Sequence, residues 1–321
     1  MMIEKTALLP VSAEEAFALI TEPDRLRRWL AVSARVDLRA GGEFRWTLTP
    51  MAVAAGTVIE VDPGRRIVLG FGWEHAAESR ADTVTITIEP AEGGTLVRLV
   101  HDGLPEDQGA GHLEGWTHFL ERLERAAVTG DAGPDEWAYA PERLDPFTSA
   151  NATLAVLQQV LRGIGEDELG TSTPCTEFTV GQLETHLLGS LSSLTGLAGS
   201  TLVPTSAGDL ESRMADAARQ AVETWMERGL DGTVQAGPQE LPATIAASIL
   251  SLEFLVHAWD FASATGQKLA VSDEVATYVL GLAEQIISPE LRESAGFYPA
   301  IPIGADAPAL DRLVAFSGRP A

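Results

Sequence analysis

The sequence predicts two domains of different class: an α+β domain with antiparallel strands, then an all-α helical bundle. Before about residue 130, segments rich in Thr, Val, Arg and Trp alternate apolar and polar side chains between turn signals. That alternation is typical of half-buried strands. From about Phe147 onward, Ala- and Leu-rich stretches follow the helical period instead. A chain of 321 residues is long enough for two such domains.

Three pairs of strand candidates form the sheet of the first domain. They surround turn signals at Gly41-Gly42, Asp62-Pro63-Gly64 and Glu92-Gly93-Gly94. In the third pair, Val84, Ile86 and Ile88 alternate with threonines. This period of two predicts a strand with one buried and one exposed face.

Helices bracket this sheet at both ends. Ser12 followed by Glu15 is a capping box that begins a helix over AEEAFALI. The segment HLEGWTHFLERLERAA predicts a long amphipathic helix, whose apolar face comprises Leu113, Trp116, Leu120 and Leu123. A sheet with one apolar face needs a cover, and this last helix is the candidate for it.

The second domain is predicted to be helical throughout. Residues 129–146 are rich in Pro, Gly and Asp and predict a linker, which separates domain 1–128 from domain 147–321. The periodicity predicts four main helices, at roughly 149–163, 179–199, 208–229 and 241–265, and a shorter one near 272–288. This arrangement is typical of a helical bundle.

Composition limits the class of partner. The chain has 46 acidic and 22 basic residues, a formal net charge of −24. This argues against nucleic acid, which needs a basic surface, and against anionic membranes. Cys175 is the single cysteine, so no intrachain disulfide is expected, which fits a reducing cytoplasm. No signal peptide is expected, and the most apolar stretch, 245–262, is too broken by ionisable residues for a membrane span. We expect a soluble, cytoplasmic protein.

The segment SLEFLVHAWDF, residues 251–261, places two ionisable side chains in an apolar helix. Glu253 and His257 are four residues apart and share a helix face. An unpaired buried carboxylate is expensive. His186 lies on the inward face of another predicted helix, and two histidines with one carboxylate are a recurring ligand set for a divalent metal. Alternatively, Glu253 pairs with a buried His or Arg.

Two segments of the second domain resemble a known family. TSTPCTEFTVGQLETHLLG (171–189) and SLEFLVHAWDFASATGQ (251–267) together resemble the DinB-like four-helix bundles, specifically the mycothiol-dependent maleylpyruvate isomerase-like metal-binding branch. The likeness covers roughly 147–320. It implies a divalent metal, typically zinc, on His186, Glu253 and His257. The metal would activate the thiol of mycothiol, bacillithiol or a similar cofactor. Maleylpyruvate isomerisation itself is not expected, because the additional C-terminal domain of that enzyme type has no counterpart here.

The first domain resembles a different family. The pattern PDRLRRWLAV, VDLRAGGEFRWTL, GTVIEVDPGRRIVLGFGWE and GWTHFLERLE is similar to the SRPBCC superfamily, specifically to the domain related to activators of the Hsp90 ATPase. This resemblance implies a helix-grip fold, in which a curved antiparallel sheet wraps a long C-terminal helix around a hydrophobic cavity. Five aromatic residues are candidates for lining that cavity: Phe44, Trp46, Phe71, Trp73 and Trp116. The alternative, slightly favoured, is that they fill the core.

Three further positions leave alternatives open. Cys175 precedes a helix without a cationic neighbour in sequence, which favours packing over reactivity. Asp260 either supports a ligand histidine or has a surface or capping role. The His101-Asp102 pair is a polar dyad or, as we favour, part of a turn. His112 and His118 are six residues apart on a helix, so they face different ways and are not expected to bind one metal.

The leading hypothesis is therefore a metal- and thiol-dependent transferase or isomerase acting on a small electrophile. The alternative is a non-catalytic protein that binds a small hydrophobic ligand and keeps a structural or vestigial metal site. A third hypothesis, engagement of a chaperone, has no residue-level support, so no chaperone partner is expected. The expected partner is a small molecule, with neither nucleic acid nor membrane, and a homodimer is left open.

Overall fold

A computed structural model describes residues 1–74, 82–175, 177–289, 292 and 297–320. The chain divides into two compact units, Met1–Gly133 and Pro134–Ala321. The boundary falls inside the segment predicted as a linker. Each unit is described separately below.

The first unit is built on a seven-stranded antiparallel sheet. Its strands are β1 (Met2–Leu9), β2 (Ser33–Val36), β3 (Glu43–Thr49), β4 (Ala52–Asp62), β5 (Arg66–Trp73), β6 (Asp82–Ala91) and β7 (Gly94–Asp102), in the spatial order β1-β7-β6-β5-β4-β3-β2. The three predicted strand pairs are confirmed. β1 was not predicted, although it pairs with β7 along its whole length. Strand β6 alternates buried and half-buried residues as its threonine pattern predicts.

Helices flank this sheet, as expected for a helix-grip fold. They are α1 (Ala13–Thr21), α2 (Pro23–Leu26) and α3 (Gly109–Thr129). The capping box is partly confirmed, since the Ser12 hydroxyl accepts a hydrogen bond from the backbone N–H of Glu15 at 3.2 Å. The predicted apolar face of α3 is wrong at Leu113, which is 41% exposed. His112, one turn before the buried Trp116, lies on the buried face instead.

The second unit is mainly helical. Its helices are α4 (Glu136–Tyr139), α5 (Pro146–Leu161), α6 (Val180–Leu197), α7 (Leu210–Arg228), α8 (Ala243–Thr265), α9 (Asp273–Ile286) and α10 (Ala309–Phe316). A helix lies at each predicted position, and α4 lies within the predicted linker. The expectation of an all-α domain is wrong in one element, a hairpin of β8 (Thr233–Ala236) and β9 (Gln239–Pro242). Gly237, with φ of +60°, makes the turn that closes it.

Helix α8 is the core helix of this unit. By length and composition this helix is apolar enough to cross a membrane, but 78% of its apolar 18-residue stretch is buried inside the protein. That arrangement is typical of the core helix of a soluble protein. Small residues bring α5 close to it, with the hydroxyl oxygens of Ser149 and Ser251 2.7 Å apart. Its apolar neighbours fix its rotation, and so fix where Glu253 and His257 lie.

Side chains of α7 hold α6 in place. The indole N–H of Trp225 donates to the carbonyl of Leu194 at 3.0 Å, and Arg213 donates to Glu184 at 2.8 Å. Helix α6 begins with the predicted capping box, in which Thr179 and Gln182 bond each other's backbone N–H groups. The position and rotation of α6 therefore follow from both its cap and its packing.

Candidate metal centre

The structure brings together the three residues that the sequence nominated as metal ligands. His186 lies on α6, and Glu253 and His257 lie on α8. One ligand atom from each side chain lies within 4.8 Å of the other two. The two imidazole rings meet edge to face, with centroids 5.3 Å apart. Phe178, just before α6, stacks on the His186 ring with centroids 4.9 Å apart.

The distance between Glu253 and His257 suits a shared ion better than a direct bond. Glu253 Oε2 lies 3.6 Å from His257 Nε2, which is too long for a hydrogen bond. Two atoms that each lie about 2.0–2.1 Å from one tetrahedral ion are separated by about 3.4 Å. The most distant ligand atoms would have to approach by at most about 1.5 Å to reach that spacing.

Glu253 Oε2 is buried and has no hydrogen-bond partner in the described part of the chain. A buried carboxylate oxygen without a partner costs free energy, and native proteins rarely leave one. A cation between the imidazoles would complete its coordination. The donor set of two imidazoles and one carboxylate is one that zinc accepts, with a further position left open.

A buried carboxylate and a guanidinium support His257 from behind. His257 Nδ1 lies 2.9 Å from Asp260 Oδ2, so the imidazole donates this N–H and leaves Nε2 facing Glu253. Arg319 donates to both oxygens of Asp260, at 2.7 Å from Nε and 2.8 Å from Nη2. Asp260 is fully buried and Arg319 is 4% exposed. The contact between Asp260 and His257 is thus confirmed, and a surface position for Asp260 is wrong.

The end of α10 brings Arg319 to this site. Gly318 has φ of +86°, and a Cβ on it would lie 2.5 Å from the carbonyl oxygen of Tyr298. Only glycine fits this reversal, after which the backbone N–H of Arg319 donates to Val314 at 3.0 Å. Sequence analysis missed Arg319, because its contact with Asp260 spans 59 residues.

Burial and neighbouring charges oppose each other at the ionisable groups. Burial favours the neutral form of Glu253 and Asp260, but neighbours outweigh it: His257 and Ser190 for Glu253, and His257 and Arg319 for Asp260. Both carboxyl pKa values therefore lie below their usual range. Burial also disfavours protonation of His257, yet Asp260 and Glu253 outweigh it and raise its pKa. Burial, then the charge on His257, lower the pKa of His186. Without a metal, the negative charges of Glu253 and Asp260 alternate with the positive charges of His257 and Arg319 and offset them.

Two cavities meet at the candidate metal ligands. The inner chamber is about 430 Å³ and the outer groove about 740 Å³, and both are lined by His186 and Glu253. His257, Cys175 and Arg319 line the inner chamber only. Burial raises the pKa of the Cys175 thiol, against the smaller opposite effect of Arg319. Cys175 is thus a protonated wall residue near a cation, which its sequence neighbours could not reveal.

The five aromatic residues nominated in the first unit form one contact cluster. Phe44 lies 4.6 Å from Trp46, and Phe71 lies 5.6 Å from Trp73 and 6.1 Å from Trp116, between ring centroids. Four of them are buried, and Trp73 is 36% exposed. Such packing is typical of a protein core, but Trp46 Nε1 is buried and has no hydrogen-bond partner among the residues that the structure describes.

Two histidines that were not among the residues predicted to line the pocket complete this cluster. His101 and His112 lie 4.9 Å apart, and each accepts a hydrogen bond from an indole, His101 from Trp116 at 3.0 Å and His112 from Trp73 at 3.3 Å. The dyad between His101 and Asp102 is not formed. Asp102 instead accepts from the backbone N–H of Gly103 at 2.9 Å, which confirms the turn interpretation.

Acid is expected to destabilise the first unit through His101. Burial, and secondarily the charge on His112, lower the pKa of His101 from 6.5 to about 4. Between these two values the unfolded chain binds a proton that the folded chain does not, so stability falls as the pH decreases. The full loss, reached below pH 4, is expected to be about 3 kcal/mol. Urea denaturation of the wild type and of His101→Gln, which keeps an acceptor for Trp116, should show a shallower pH dependence in the variant. Equal slopes in the two proteins would contradict this assignment.

Comparison with known proteins finds relatives of the first unit. The family model for "Activator of Hsp90 ATPase homolog 1-like protein" matches residues 10–127. The solution structure of the Aha1 dimer from Colwellia psychrerythraea is 19% identical, with 40% of this chain and 98% of that one covered, at a TM-score of 0.38. An HSP90 activator from Plasmodium falciparum, PFC0360w, is 24% identical, with 40% and 96% covered, at a TM-score of 0.35. The N-terminal domain is thus AHSA1-like.

Another relative extends beyond that unit. The uncharacterized protein Rv0738 of Mycobacterium tuberculosis strain H37Rv is 29% identical over 179 residues, which are 55% of this chain and 98% of the relative. The aligned length exceeds that of the whole first unit, Met1–Gly133, so the likeness includes part of the second unit.

Proposed function

We propose that the second unit binds a divalent metal, zinc by preference, through His186, Glu253 and His257, and uses it to activate a low-molecular-weight thiol. The protein would then be a thiol-dependent transferase or isomerase acting on a small electrophile. The observation that carries this proposal is the convergence of the three ligand atoms within 4.8 Å, next to open cavity space. The resemblance of both motifs to the DinB-like, maleylpyruvate isomerase-like branch supports it, and mycothiol or a similar thiol is the proposed cofactor.

The proposed ligand set leaves the metal with a net positive charge. Glu253 is its one anionic ligand and both histidines are neutral as ligands, so a divalent ion would keep one positive charge, while Asp260 and Arg319 offset each other. A thiolate bound to the ion would balance that charge. A thiol bound to a divalent cation loses its proton at neutral pH and becomes a nucleophile.

The protein side chains have distinct parts in this proposal. Asp260 holds the Nδ1 proton of His257, and so presents Nε2 to the metal. Arg319 keeps Asp260 ionised and in place. The inner chamber offers apolar walls at Leu252 and Val256, where a small electrophile would lie out of water beside the activated sulfur. The thiol proton would pass to solvent, the sulfur would add to one carbon of a polarised double bond of the electrophile, and the electron pair of that π bond would move to its far atom, which takes up a proton from solvent.

Cobalt substitution tests the thiol step without any knowledge of the substrate. We expect the cobalt(II)-loaded full chain to develop a thiolate-to-cobalt charge-transfer band when titrated with 2-mercaptoethanol, because one coordination position is left open. Glu253→Gln, which keeps the shape of the side chain but not its charge, is the matched control and should weaken the band with its loss of metal. A cobalt-loaded protein that gives no such band with any thiol would contradict the proposed function.

A second candidate function is favoured by the buried polar atoms of the first unit. Within the described residues, which leave out 75–81, Trp46 Nε1, Asp82 Oδ1 and His101 Nε2 are buried without hydrogen-bond partners. A ligand with polar groups would satisfy them, so this unit is a candidate binder of a small aromatic compound. Calorimetric titration with indole and phenol tests this; heats that are equal for the wild type and for Trp46→Phe would contradict it.

A further inference from the structure

We infer that the outer groove binds the body of the thiol, and that it selects an uncharged, hydroxyl-bearing compound over an anionic one. This inference rests on the proposed function, because the groove matters only if a thiol reaches the metal. The groove follows one face of α6 and holds about 740 Å³. It shares His186 and Glu253 with the inner chamber, so a molecule lying in it would have one end at the candidate metal ligands.

Gly189 makes the space above α6. It lies in the middle of the helix, where glycine costs about 1 kcal/mol relative to alanine. A Cβ added at Gly189 would meet no atom within 4 Å, so packing within the protein does not require glycine here. The missing side chain instead keeps groove volume open next to Ser190 and His186.

The hydrogen-bonding groups of the groove match hydroxyls. Thr185 and Ser193 donate their hydroxyl hydrogens to helix carbonyls, at 3.1 and 3.0 Å, so their oxygens remain as acceptors. Gln182 uses its amide oxygen to accept from the backbone N–H of Thr179 at 2.9 Å, which leaves its amide N–H groups to donate. A hydroxyl both donates and accepts and satisfies this mixture, whereas a carboxylate only accepts.

The charges of the groove oppose an anionic ligand. Its described lining contains the carboxyl groups of Glu177 and Glu253 and no lysine or arginine. Arg319 lines the inner chamber and not the groove, and Asp260 accepts from two of its donors. The charge of a divalent ion would be balanced by Glu253 and by the thiolate, so a further carboxylate on the ligand would meet the negative charge of Glu177 without a compensating cation.

The test compares thiols of different charge on the cobalt-loaded full chain, with the charge-transfer band and calorimetry as readouts. The probes are 1-thioglucose, which is uncharged and hydroxyl-rich, mercaptosuccinate, which is a dianion, and 2-mercaptoethanol, which is too short to fill the groove. We expect 1-thioglucose to have a Kd about tenfold or more below that of mercaptosuccinate, the factor that one or two net hydrogen bonds supply.

A variant that fills the groove distinguishes a failure of this inference from a failure of the proposed function. Gly189→Leu should weaken 1-thioglucose binding about tenfold or more, while binding of cobalt and of 2-mercaptoethanol stays unchanged. The matched control is Gly196→Leu, two turns further along α6, outside the lining and equally free of neighbours within 4 Å. Equal affinity for 1-thioglucose and mercaptosuccinate would overturn the inference, and so would an unchanged affinity for 1-thioglucose in Gly189→Leu. Either result would leave the proposed function standing. Absence of the band with every thiol would overturn the proposed function itself.

Discussion

Replacing Asp260 by asparagine is expected to be among the most damaging single changes in the second unit. The variant keeps the size of the side chain but leaves the Arg319 guanidinium buried without its charge partner. Breaking one half of a buried ion pair costs about 3–5 kcal/mol. Urea denaturation should show this loss in the free energy of unfolding. Metal affinity should also fall, by about 10–100-fold, because a neutral amide, which can turn either its oxygen or its NH₂ group to the ring, replaces the carboxylate that orients His257.

Two further variants make this prediction specific. In the double variant Asp260→Leu/Arg319→Leu neither charge remains buried, so most of the lost stability should return. Its metal affinity should not recover, since no acceptor for His257 Nδ1 is restored. Asp231→Asn, at an exposed position, should change the stability by less than about 0.5 kcal/mol. If Asp260→Asn lowers the free energy of unfolding as little as Asp231→Asn does, the ion pair with Arg319 is not what supports this site.

Zinc is expected to stabilise the folded chain through the same three ligands. A metal that binds only the folded state raises the free energy of unfolding by about 4 kcal/mol when its free concentration is a thousand times Kd. Denaturation with zinc and with a chelator measures that increment. His257→Ala should abolish it, because the remaining two ligands cannot hold the ion in a fixed geometry. His118→Ala, in the other unit, is the matched control. The same increment in wild type and His257→Ala would place any bound zinc elsewhere.

Local patterns made half of the candidate site predictable. The four-residue spacing of Glu253 and His257 sets both on one face of any helix, whatever surrounds it. The apolar stripe around His186 showed that this imidazole points inward. The capping boxes at Ser12 and Thr179 were readable for the same reason, because their contacts span three residues. Such features depend on helix geometry alone.

The other half depends on contacts between distant segments. Nothing near Asp260 in sequence indicates Arg319, and nothing near Cys175 indicates that the same guanidinium lies beside it. The closing segment DRLVAFSGRP contains two arginines, Arg312 and Arg319, and nothing local distinguishes the one that reaches Asp260. Likewise, Leu113 has the apolar character of a core residue, but the packing of α3 buries His112 in its place. Strand β1 was missed because its partner, β7, lies about 90 residues away.

The measurement that tests the central proposal most directly is the metal content of the tag-free protein. Inductively coupled plasma mass spectrometry would be applied to the wild type and to a Glu253→Ala/His257→Ala variant. We expect near-stoichiometric zinc or another divalent ion in the wild type and its loss in the variant. No metal in either protein, even after reconstitution with zinc, would contradict the proposal. Glu253, His257, Asp260 and Arg319 would then form a buried chain of alternating charges that stabilises α8 without a metal.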